Sequence, residues 1–209
     1  MALLPSKTLS NLKSFDPKIY DGVAEFKTQD QVVKEAIDYA TKRSLGQYEY
    51  LKTDYAKLNR AIQGGFDWNT TLTVSGLSSS GKSTLSSRLV SGMVKNAVTP
   101  CIVLKFNFEM MAHKTVSREI CNMANIDMKT LFSVNERLGQ ERLAELVKDY
   151  YNKVIDYPIL YVEEPQNYLS IEKTIYVYWE KLCKEEGIGL IVEVDHSSIV
   201  TGTAKDGLK

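Results

Sequence analysis

A chain of 209 residues with 44% hydrophobic side chains can bury a core and fits one α/β domain with a small extension. Its 26 basic and 26 acidic residues cancel, which argues against a bulk electrostatic grip on nucleic acid or an anionic membrane and leaves room only for local patches. Cys101, Cys121 and Cys183 are widely spaced, form no metal pattern and read as buried reduced thiols, and no signal peptide or long apolar run is visible, so a soluble, intracellular protein is expected.

Residues 1 to about 26 carry two prolines and scattered charge, and read as a weakly ordered arm. Thr28-Gln29-Asp30-Gln31 has the form of a capping box. Behind it Val32, Val33, Ala36, Ile37 and Ala40 make a helical apolar stripe that ends near Gly46. That stripe suits either the chain's own core or a neighbouring subunit. Asp54 is placed to cap a short helix, Tyr55 to Gln63, closed by Gly64-Gly65. Thr71-Leu72-Thr73-Val74-Ser75 reads as a short buried strand, and residues from Thr84 to Val94 carry apolar side chains at helical spacing.

Between that strand and helix lies Gly76-Leu77-Ser78-Ser79-Ser80-Gly81-Lys82-Ser83, a full match to G-x-x-x-x-G-K-[ST]. The glycines let the backbone curl so that successive N–H groups, Ser78, Ser79 and Ser80 among them, face phosphate oxygens. Lys82 reaches the β- and γ-phosphates, the Ser83 hydroxyl ligates Mg²⁺, and Thr84 continues the helix N-terminus that adds partial positive charge. A Ser/Gly linker is the bland alternative, but linkers seldom sit between strand and helix with a lysine in register. A nucleoside triphosphate with Mg²⁺ is therefore the expected ligand.

Further along, Cys101 to Phe106 reads as a strand. A helix holding Val116, Ile120 and Met123 follows, then a helix from about Glu136 to Tyr151 with Leu138, Leu143, Leu146 and Val147. Ile159 to Val162 is a third strand. Ser170 is placed to cap a helix that Gly187 ends, and Ile188 to Val194 is a fourth strand. Strands alternating with helices imply a parallel sheet with right-handed crossovers and a ligand site beyond the strands' carboxyl ends.

An apolar strand ending in Asp195 supplies the carboxylate expected beside a P-loop, where it supports the metal; a plain strand-end helix cap is the alternative. Glu193 lies inside that strand, where a charge is costly unless paired, and Lys105 on another strand is its candidate partner. A base that orients the attacking water is also needed. Many P-loop ATPases carry Glu directly after the strand-end Asp, but this chain has His196 there. Glu109, just past the second strand, is the candidate, against the alternative of a surface Glu opening the next helix.

In motif order the chain resembles the RecA-like motor domain of DnaB-type replicative helicases. Leu51 to Asn59 with Gly64-Gly65-Phe66 looks like the family's opening segment, followed by the P-loop. Phe106-Asn107-Phe108-Glu109-Met110 looks like its Phe-Ser-Leu-Glu-Met signature. Arg118 sits where the family has an arginine, and Asp195-His196 stands for its usual Asp-Tyr. The resemblance spans about Leu51 to Val200 and favours Glu109 as the hydrolytic base. It implies an α/β, RecA-like P-loop NTPase with a parallel sheet flanked by helices, over residues 48–209. Residues 1–47 would be a helical N-terminal arm with a linker-like helix. The implied activity is ATP hydrolysis with Glu109 and Lys82 as catalytic groups. Gly76, Ser78, Ser79, Ser80, Gly81, Lys82, Ser83, Thr84 and Asp195 would bind nucleotide, and Ser83 and Asp195 the metal. Single-stranded DNA and a homo-oligomeric ring are the implied partners in the full-length context, without a membrane, in the cytoplasm of a bacterial or phage-infected cell.

The family continues past its strand-end Asp with further strands, a sensor residue, DNA-contacting loops and an arginine finger. The chain therefore reads as a fragment, with a naturally minimal protein as the alternative, and by itself it is expected to hydrolyse ATP feebly at most and not to unwind DNA. Two other functions compete with this reading. A small-molecule kinase would need arginines clustered in a lid, and here they are few and scattered. A non-catalytic nucleotide-binding module would assemble with a complete helicase.

Overall fold

The computed structural model describes residues 27–77, 79–132, 139–154, 158–164 and 167–195. The chain divides into two units, Met1–Glu49 and Tyr50–Lys209. In the first, helix α1 (Gln29–Ser44) starts from the expected capping box: Gln31 N donates to Thr28 Oγ1, and Thr28 N donates to Gln31 Oε1 at 2.7 Å. Asp30–Lys34 and Asp38–Lys42 pair at i,i+4 spacing, in the favourable order of acid before base. No residue of α1 is buried, and Val32, Val33 and Ile37 of the apolar stripe stay exposed. The helix is held by its caps and local pairs rather than by an internal core.

In the second unit, α2 (Ala56–Ala61), α3 (Lys82–Asn96), α4 (Ala112–Ala124), α5 (Met128–Leu131), α6 (Gln140–Val154) and α7 (Tyr168–Tyr178) alternate with β1 (Cys101–Asn107), β2 (Ile159–Val162) and β3 (Gly189–Asp195). A π-helical turn, Trp179–Cys183, extends α7. The sheet has the order β2-β1-β3, all parallel, as the strand–helix alternation predicts. Central β1 is flanked on both edges, and Val103, Leu104 and Phe106 are fully buried. The period of two then sorts the side chains. Leu104 and Phe106 join Ile171, Val192 and Leu190 on one face. Ile191 packs on the other, with Leu51, Leu89 and Met93 of the α3 side. Glu193 and Asp195 follow Ile191 at two-residue steps, so β3 aims both at α3.

Three local expectations change, and a fourth falls partly outside the described residues. Residues 71–75 form no strand; all but Val74 are exposed. Trp68 packs on Gly189 at the start of β3, where a Cβ would come within 2.2 Å of the ring. Asn69, at φ 62°, then turns the chain, and Val74 packs on the Leu51, Leu89 and Met93 cluster without entering a ladder. With no partner strand among the described residues, the segment's backbone cannot enter one. Asp54 does not cap α2, because it lies two residues before the first helical residue. It accepts from Asn96 Nδ2 at 3.0 Å and pairs with Lys95 at 3.5 Å, on α3. The entry to α2 is set instead by Asn59, whose side chain accepts from Thr53 N and Oγ1 and donates to Thr53 O. Asn167, not Ser170, caps α7: its Oδ1 accepts from Ser170 N at 2.8 Å, so Ser170 stands at the third helical position. Finally, α6 begins at Gln140; Glu136 and Leu138 lie outside the described residues.

The cysteines are free and buried, and burial holds the Cys121 and Cys183 thiols above the usual range, where they stay protonated. No helix among the described residues is long and apolar enough to cross a membrane.

Candidate functional site

The P-loop curls as its glycines require. Gly81 has φ +86°, a left-handed conformation that an L side chain resists, and it serves as the N-cap of α3. At Gly76 a Cβ would come within 2.8 Å of Ser80 Oγ, so the absent side chain leaves space inside the curl. Ser80 N donates to Leu77 O, closing the turn. Lys82 folds back over the loop and donates to Gly76 O at 3.0 Å and Leu77 O at 2.9 Å. An ammonium at a glycine-rich turn that opens a helix is placed to meet an anion. Ser78 lies outside the described residues; Ser79, Ser80 and Thr84 belong to the same turn and first helical turn.

Ser83 is the second residue of α3, and its hydroxyl lies 3.4 Å from Asp195 Oδ1, as the donor of that contact. Two residues 112 positions apart thus meet because β3 ends where α3 begins. Among the described residues no group of three or more His, Cys, Asp or Glu gathers to hold a metal. A hydroxyl and a carboxylate are instead the hard-oxygen, two-ligand set that suits Mg²⁺, which keeps its waters and takes phosphate oxygens for the rest. The residues present therefore fit both Mg²⁺ and a nucleotide.

Glu109 lies two residues past β1, on an exposed turn that lines the cleft with Lys82, Ser83 and Asp195. Three anchors hold this turn. Phe108 packs on the core beside Phe106, with ring centroids 5.7 Å apart. Asn107 Nδ2 donates to Thr115 Oγ1 on α4 at 3.2 Å. Ala112 N, the first amide of α4, donates to the Glu163 carboxylate just past β2. Asn107 is also the register partner of Asp195, which levels the ends of β1 and β3. Of these supports, Asn107 and Phe108 lie in the quoted signature. Thr115 and Glu163 had no sequence signal, since their partners come from other elements. His196 lies outside the described residues.

Glu193 resolves as the sequence suggested. Lys105 is its register partner, and Lys105 Nζ lies 3.0 Å from Glu193 Oε2, with both side chains under a tenth exposed.

The family model for the DnaB-like helicase C-terminal domain matches residues 50–208. The chain belongs to this family. It therefore carries the RecA-like ATPase domain of DnaB-like helicases, and the resemblance drawn from its motifs holds. Among solved structures it is similar to an ATPase domain, with a TM-score of 0.68 and 16% identity, over 84% of this chain and 61% of that one. At that identity the likeness speaks for the fold, a parallel sheet flanked by helices. The chain spans less than two thirds of that structure. No curated protein matches it in sequence.

Proposed function

We propose that the Tyr50–Lys209 unit binds Mg·ATP at the P-loop and hydrolyses it to ADP and phosphate, as the motor domain of a replicative DNA helicase. The observation that carries this is the meeting of Ser83 and Asp195 at the mouth of a complete P-loop. Gly76 and Ser78 to Thr84 cradle the phosphates through backbone amides and hydroxyls, and Lys82 exchanges its two loop carbonyls for phosphate oxygens. Ser83 and Asp195 hold Mg²⁺, which supplies charge neutralisation at the phosphates when bound. Glu109 orients the attacking water and accepts its proton. Glu193 is the poorer base, because Lys105 already engages its carboxylate deep in the sheet. Single-stranded DNA and a ring of like subunits are the proposed partners of the full-length protein. The cytoplasm is its proposed location, and residues 1–47 are proposed as its linker arm.

The test is calorimetric titration of ATP into the chain and into Lys82→Ala. Tight, Mg²⁺-dependent binding to the parent and its loss in the variant, with an unchanged melting temperature, is the expected result. Equal affinity in both would remove the assignment.

A further inference from the structure

The Lys105–Glu193 pair has no part in the chemistry above, yet it is charged, buried and central. Lys105 Nζ also donates to Ser87 Oγ on α3 at 2.8 Å. Ser87 stands four residues after Ser83, so both hydroxyls lie on one face of α3, one turn apart. Glu193 stands two residues before Asp195, so both carboxylates leave β3 on one side. Two rungs therefore join α3 to the sheet. The outer one is Ser83 to Asp195. The inner one runs from Ser87 through Lys105 to Glu193 and ties helix, central strand and edge strand at one point.

Buried ion pairs add little net stability compared with apolar side chains of the same volume. What this one adds is position. An apolar contact tolerates sliding along the helix axis, whereas an ammonium with one partner on the helix and one on the strand fixes the axial register of α3. That register sets the separation of Ser83 and Asp195. Resting on the proposed Mg·ATP site, we infer that Lys105, Glu193 and Ser87 are positioning residues that set the spacing of the metal-binding pair.

The experiment titrates Mg²⁺ into the chain with a fluorescent ATP analogue (mant-ATP), and repeats the mant-ATP titration in EDTA. Two variants are compared with the parent: the double replacement Lys105→Met/Glu193→Leu, and Ser87→Ala, which cuts only the link to the helix. Groups hydrogen-bonded directly to a metal's ligands change metal affinity by about 10–100-fold, so residues one step further in should act at the low end of that range. The expected result is a requirement for about tenfold more Mg²⁺ in the double variant and a smaller rise in Ser87→Ala. Metal-free mant-ATP affinity and melting temperature should stay at parent values, which a merely structural role would not predict. An Mg²⁺ dependence identical to the parent's in a folded double variant would overturn the inference. If that variant does not fold, Ser87→Ala decides alone: raised Mg²⁺ demand supports the inference and parent-like demand overturns it. If the parent itself shows no Mg²⁺-dependent binding, the proposed function fails first.

Discussion

Two segments of this chain precede the two loops of the site, and they fold differently. Strand β1 leads to Glu109; residues 71–75 lead to the P-loop. Both alternate or cluster apolar residues in a way that predicts a strand. β1 has parallel neighbours on both edges, and its centre is wholly buried. Residues 71–75 have no ladder partner among the described residues and, apart from Val74, lie exposed beside a cleft, with Leu72 48% exposed. A β pattern is thus a capacity to pair, realised only where another strand arrives. At the P-loop itself, the turn is closed by Ser80 N donating to Leu77 O and by the start of α3.

The comparison breaks most visibly in the core. Phe106→Ala in β1 should cost about 3–5 kcal/mol, the range for emptying a buried aromatic site. Urea unfolding measures it, and a cost near ~1 kcal/mol would mean that β1 is not the packing centre.

At the ends of the two segments the effects become functional. Glu109→Gln should keep Mg·ATP binding and lower any turnover by about 10²–10³-fold, within the span of lost general base catalysis. Phosphate release under saturating ATP is the assay. Turnover at the parent rate would direct attention to His196.

Alkali reaches the sheet through Tyr161. Burial, with the Glu119 and Glu193 carboxylates nearby, pushes the Tyr161 phenol up to about 12. The folded state therefore keeps a proton that the unfolded chain releases near pH ~10. Stability from this group is complete below pH ~10 and declines as pH rises toward ~12, by about 1 kcal/mol per unit. Tyr161→Phe should flatten that part of the pH–stability curve, and a curve unchanged from the parent would remove the effect. Smaller still is Leu72→Ala in the lead-in, expected within about 0.5 kcal/mol. A loss comparable to that of Phe106→Ala would show that residues 71–75 are packed as a strand after all.

Much of the fold and of the site was legible because their parts are local. The P-loop, the capping box of α1, the β1–β3 strands and the parallel alternation follow from patterns within a few residues of each other. Even the Lys105–Glu193 pair was legible, since an isolated charge in a buried strand demands an opposite one. Asp54 and Ser170 were misplaced because several polar residues near a helix start can each serve as cap, and packing chooses: Asn96 and Lys95 draw Asp54 away, and α7 begins early enough for Asn167 to take the role. The pairing of Ser83 with Asp195 was expected from the P-loop and the strand-end Asp, whereas the anchoring of the Glu109 turn by Thr115 and Glu163 and the course of residues 71–75 depend on elements distant in the chain. Local propensity carries no information about which distant backbone arrives at an edge, so those features were decided only when the sheet assembled and its register was set.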